Sequence, residues 1–165
     1  MNSEYHEALK RLRDAGWTIN LGAPQDELPC AIQARYAWLP SETLQYIKEL
    51  DTAVGPNEKV WLLGLPDFMG SSAAAFKWNE WERMSLDAAE ESAELIAPVK
   101  QFWDWHFPVA HSVKSGYAYF AIQKEDLSIV CGEEPEFEEP TFVASSLLEL
   151  LELLREPPAR LRRWA

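Results

Sequence analysis

The stretch Gly116-Tyr117-Ala118-Tyr119-Phe120-Ala121-Ile122 carries no charge and is apolar at both odd and even positions. Because side chains alternate across a strand, such a segment must be buried on both faces, which is the property of a central strand. Residues 123–126 follow as a four-residue hairpin connection, and Leu127-Ser128-Ile129-Val130-Cys131 pairs back. Any fold for this chain is therefore organised around an antiparallel pair covered on both sides.

The rest of the sequence supplies the cover. Ser3 is a helix cap, Tyr5, Ala8, Leu9 and Leu12 form one stripe, and Gly16 is a stop. Residues 17–21 read as a short strand and residues 27–37 as a helix with Pro29 in its first turn. Ser41 caps a third helix that runs through Leu44 and Ile47 to Leu50 or Asp51, before the terminator Gly55-Pro56-Asn57. Residues 59–63 form a short buried strand, and residues 64–72 a loop. One longer helix is expected over 79–97, ended by Pro98, and Phe107-Pro108-Val109-Ala110 is extended. The chain closes with the capping box Ser146-Leu147-Leu148-Glu149, followed by Leu150, Leu151 and Leu154 on one face. Strands grouped among helices without alternating βαβ units predict an α+β fold, a central antiparallel sheet of about four to six strands flanked by helices. At 165 residues the chain is expected to be a single domain, with a helical extension over 1–25, a core over 28–154 and a basic tail over 157–165.

Charge narrows the function. There are 27 Asp and Glu against 15 Lys and Arg, a formal net charge of -12. Nucleic acid and anionic membrane surfaces both require cations, so neither is an expected partner. A basic protein is permitted, because opposite charge speeds and orients encounter; the alternative reading is that the acidity only serves solubility. The opening Met1-Asn2-Ser3-Glu4-Tyr5-His6-Glu7 has no basic segment leading into an apolar run, and Cys30 and Cys131 are isolated thiols, so the expected compartment is the cytoplasm.

Chemistry-bearing motifs are scarce. His106 and His111 match no compact zinc spacing, and an odd separation of five places them on opposite faces of an extended segment. Cys131 precedes carboxylates, which oppose thiolate formation, so it reads as a structural residue. No glycine-rich phosphate loop or nucleophile elbow is present in the sequence. No cofactor, metal site or catalytic residue is expected.

The most unusual segment is Cys131-Gly132-Glu133-Glu134-Pro135-Glu136-Phe137-Glu138-Glu139-Pro140. It displays five carboxylates around two prolines, Pro135 and Pro140, that restrict the backbone. Glu133, Glu134, Glu136, Glu138 and Glu139 are candidate contacts for a basic partner, with Phe137 adding apolar contact; the opposing reading is a solvated loop with Phe137 tucked into the core. Arg155, Arg160, Arg162, Arg163 and Trp164 form a basic tail that packs back on the acidic body or frays.

Residues 28–154 resemble the SUKH superfamily, which includes a fungal cell-wall-synthesis regulator and many bacterial proteins encoded beside secreted toxins. The likeness is carried by Leu39-Pro40-Ser41-Glu42-Thr43-Leu44, by Trp105-His106-Phe107-Pro108-Val109-Ala110, by Gly116-Tyr117-Ala118-Tyr119-Phe120-Ala121-Ile122 and by the closing segment 143–151. Where the family often has Asp and Gly after this strand, Gln123 and Lys124 stand here. The resemblance implies structural roles for Leu39, Pro40, Trp105, Pro108, Gly116 and Tyr117, and a non-catalytic module that neutralises a toxin domain by direct binding. A regulatory scaffold with several cytosolic partners and a hydrolase are the alternatives.

Overall fold

The computed structural model describes residues 2–22, 27–90 and 92–165, and among these residues it has seven helices and seven strands. The strands are β1 (Thr18–Leu21), β2 (Leu50–Val54), β3 (Val60–Leu62), β4 (His106–Ser112), β5 (Ala118–Gln123), β6 (Ile129–Glu133) and β7 (Thr141–Ala144). Each pairs antiparallel with its chain neighbour, giving one open sheet in sequential order. The α+β class is as expected, with more strands than the four to six anticipated.

The alternation on β5 divides the core. Ala118, Phe120 and Ile122 point to one face, where they join Ile129 and Cys131 of β6. That face is covered by α1 (Ser3–Asp14), α3 (Ser41–Glu49) and α7 (Leu147–Arg155), through residues such as Leu9, Leu12, Ile47, Leu150 and Leu151. Tyr119 and Ala121 point to the other face and join Val130, Trp81 of α5 (Glu80–Ala88), Trp103 of α6 (Ala93–Trp105) and Phe137. This second layer stops short of β1, where Thr18 and Asn20, in register with Val54 and Thr52, are exposed. The sheet is thus fully sandwiched at β5 and half bare at its β1 edge.

In the described part of 1–25, α1 packs on α7, β1 forms a sheet edge, and Tyr5, Leu9, Trp17 and Ile19 belong to the common core. Several expectations are corrected. Asn2 caps α1, accepting from the Tyr5 N–H at 3.0 Å, and Ser3 is already helical. Likewise Pro40 is the cap position of α3 and Ser41 its first residue. That helix ends at Glu49 and passes straight into β2, because Leu50 and Ala53 are needed as buried sheet residues. The 27–37 helix is shorter, α2 (Cys30–Arg35), and the 64–72 loop contains α4 (Leu65–Met69). The single helix over 79–97 is two, broken after α5, with Glu90 at φ 51°. Pro98 lies inside α6 without ending it. The hydrogen bond it deletes would go to the carbonyl of Glu94, in an exposed first turn that water reaches.

Candidate functional site

The β6–β7 connection carries the acidic run, and its backbone is fixed from inside. Phe137, expected as an apolar contact for a partner, is buried at 4 % exposure and stacks on Trp81 at 5.7 Å. Its carbonyl accepts the Tyr119 hydroxyl at 2.6 Å. Glu138 accepts the Trp103 indole N–H at 2.8 Å, and Glu133 accepts that of Trp164 at 2.7 Å while pairing with Arg163. Two of the five carboxylates are therefore committed to the fold. Glu134, Glu136 and Glu139 are exposed, with Glu134 also accepting from the Tyr117 N–H at 3.1 Å. The chain then leaves the loop into edge strand β7 with Phe142, whose ring is 61 % exposed.

The tail packs back on this edge. Leu161 is buried, and Arg160 donates to the Val143 carbonyl at 3.1 Å, covering one main-chain acceptor of β7. Cys131 lies beneath, buried, and burial pushes its thiol pKa up despite the Arg163 charge. It is a structural cysteine.

The residues of the resemblance are spread through the frame. Leu39 is buried before α3, with Pro40 beside it. Pro108 faces Ala121 at a bulge in β4, Gly116 takes φ 103° in the β4–β5 turn, and Tyr117 stacks on Trp81 at 4.9 Å. Trp105 is exposed at the end of α6, with the Lys124 ammonium 5.3 Å from its ring centre.

The bulge overturns the expected disposition of the histidines. His106 pairs with Gln123 and His111 with Tyr119, so the extra residue at Val109 restores the parity and both lie on the α5–α6 face. They have separate environments. His106 Nδ1 bonds to the Phe102 carbonyl at 2.7 Å, and its ring stacks on that of Phe102. His111 is 0 % exposed between Trp61 and Trp81, with ring centres 5.6 and 5.1 Å away. Neither of its nitrogens has a hydrogen bond of good geometry. Burial holds its pKa down at about 3, offset only in part by the Trp78 main chain, so the ring is neutral. Among the described residues no group of three or more His, Cys, Asp or Glu is placed to hold a metal.

A second feature is not legible in the sequence. On the bare half of the sheet a pocket of about 530 Å³ lies between β2, β3, the first turn of α4 and residues 71–76. Trp61 and Phe76 stack along it at 6.1 Å and 12°. Asp51 and Glu58 stand exposed at its rim and Asp67 is half-buried in its wall. Burial raises the Asp67 pKa, opposed by hydrogen bonds from Gly64 and Ser72 and reinforced by the charge of Asp51. No lysine or arginine lines the pocket among the described residues. The available signal was the small-residue run Ser71-Ser72-Ala73-Ala74-Ala75 leading to Phe76, which leaves space that larger side chains would fill.

A comparison with protein-family models finds none that matches this chain, and comparisons with curated proteins and with solved structures find no significant match.

Proposed function

We propose that this chain is a non-catalytic protein-binding module that docks a basic partner at the β6–β7 edge, a toxin domain being the case that the SUKH resemblance implies. The observation that carries the reading is Phe142, 61 % exposed immediately after a loop that displays Glu136 and Glu139. An exposed aromatic bordered by carboxylates supplies an apolar anchor and a charged rim, the two elements of a protein contact surface. The loop is held by Phe137 and Glu138, so little ordering entropy opposes docking. The net charge of -12 favours fast encounter with a cationic surface.

The test compares two affinity columns, one bearing the wild-type protein and one the Glu136→Lys, Glu139→Lys, Phe142→Ser variant. The expected result is a basic protein held by the wild type, released only at high salt, and not held by the variant. Equal retention on both columns overturns the assignment of the edge. A diverse set of proteins released at low salt replaces neutralisation by the scaffold reading.

A further inference from the structure

We infer that the pocket between β2, β3, α4 and residues 71–76 binds a small organic cation with a planar guanidinium or amidinium head, independently of the β6–β7 edge. Its volume of about 530 Å³ falls in the range of small-molecule sites. Its chemistry selects the sign and shape of the ligand. Asp51, Glu58 and Asp67 contribute three carboxylates, and no lysine or arginine lines the pocket among the described residues. Anions are thereby disfavoured and a cation is favoured.

Shape argues for a planar head over a compact ammonium or a metal ion. Trp61 and Phe76 stack at 12°, presenting aromatic surface along one wall. A guanidinium both stacks on such surface and forms paired hydrogen bonds with a carboxylate. Among the described residues Asp67 receives bonds only from neutral donors, the Gly64 N–H at 2.9 Å and the Ser72 side chain, so its charge meets no cation there. The carboxylates belong to separate elements and do not converge as a metal ligand set.

The backbone at the rim supports the same reading. Glu58 has φ 56°, a left-handed conformation that glycine adopts at lower cost. The β2–β3 turn enforces it, through the Glu58 N–H to the Gly55 carbonyl at 2.9 Å and the Lys59 N–H to Asn57 Oδ1 at 3.1 Å. Residues kept in such conformations concentrate at binding sites. Here the strained residue is the one that brings a carboxylate to the mouth of the pocket.

The test is calorimetric titration, with chemical-shift mapping, of N-acetyl-arginine amide against its uncharged analogue N-acetyl-citrulline amide. The expected result is saturable binding of the arginine probe, with shifts centred on Trp61 and Phe76. The citrulline probe should bind at least about tenfold more weakly, as loss of a charge-assisted contact implies. The Asp51→Asn, Glu58→Gln double variant alters exposed rim residues and should lower affinity for the arginine probe by a similar factor. Glu136→Lys should leave it unchanged. Absence of saturable binding to the wild type, equal affinity for the two probes, or full affinity in the double variant overturns the inference. Since Glu136→Lys addresses the other surface, failure here is distinguishable from failure of the docking edge.

Discussion

Tyr119 on β5 donates its hydroxyl hydrogen to the carbonyl of Phe137 at 2.6 Å, and Gly132 on β6 is what lets the two meet. A Cβ built on Gly132 would sit 2.5 Å from both the Tyr119 hydroxyl and the Phe137 carbonyl oxygen. The bond closes the acidic loop over the sheet and places Phe137 against Trp81. Gly132→Ala must open this contact, and the expected loss is about 1–3 kcal/mol, the usual cost of overpacking. Tyr119→Phe should cost about 1–2 kcal/mol, since it leaves a buried carbonyl unpaired. The two losses should not add, because both variants break one contact. Urea denaturation of the two single variants and the double variant measures this, and strictly additive losses would refute the shared clamp.

A second clamp holds the helical layer. Arg35 of α2 grips Glu82 of α5 with two bonds, at 2.9 and 2.7 Å, and reaches Asp104 of α6 at 2.7 Å. Glu82 is only 6 % exposed. Removing the arginine strands a buried carboxylate, which typically costs about 3–5 kcal/mol. Arg35→Met is therefore expected to destabilise strongly, whereas adding Glu82→Gln to it should restore part of the loss by removing the stranded charge. Thermal melting of the two variants decides this; a double variant less stable than Arg35→Met would show that the charge is not the problem.

His111 gives the fold a pH dependence whose sign is fixed by its burial. Its pKa falls from an ordinary 6.5 to about 3, so between those values the unfolded chain takes up a proton that the folded one refuses. Its contribution is fully present above pH 6.5 and is lost as pH falls toward 3. The rings facing it are Trp61 and Trp81, neither of them charged. His106 is shifted in the same direction by burial and adds to the effect. Stability should fall with a slope approaching about 1.4 kcal/mol per pH unit from His111 alone. In His111→Leu that part of the slope should vanish. Equal acid sensitivity of wild type and variant, read from denaturation midpoints between pH 4 and 7, would place the dependence elsewhere.

How far these features were legible depends on whether neighbours in sequence or neighbours in space determine them. β5 was readable because a run apolar at both odd and even positions marks a strand buried on both faces, and β6 because it follows across a short connection. The start of α7 was readable because Ser146 and Glu149 lie three apart: Ser146 accepts from the Glu149 N–H at 3.1 Å. The Glu149 carboxylate returns to the Ser145 N–H, one residue earlier than a capping box requires. β2 was hidden because Leu50 prolongs a helical stripe, and only the sheet around it shows that it is a strand residue. The bulge at Val109 left no local sign, yet it moves His111 to the face opposite the one that counting assigns. In the acidic run, composition identified the segment. It did not separate Glu136 and Glu139, which face solvent, from Glu133 and Glu138, whose partners Trp164 and Trp103 are distant in the chain. The pocket was invisible for the same reason, since it joins residues 51–54, 58, 61–62, 66–67, 71–76 and 113.

Glu58 and Leu127 offer a controlled contrast between strain and function. Both adopt left-handed conformations, φ 56° and 62°, and both occupy turns between paired strands. An L-residue there loses roughly 1–2 kcal/mol relative to its right-handed form, a penalty glycine escapes while giving up about 0.5–1 kcal/mol of chain entropy. Glu58→Gly and Leu127→Gly should each stabilise the fold by about 0.5–1 kcal/mol, read from denaturation midpoints. Only Glu58→Gly removes a carboxylate from the pocket rim, so it alone should weaken N-acetyl-arginine amide. A gain in stability without loss of binding at Glu58 would make it an ordinary turn residue. A loss of stability at either position would mean that its side chain makes contacts worth more than the backbone strain.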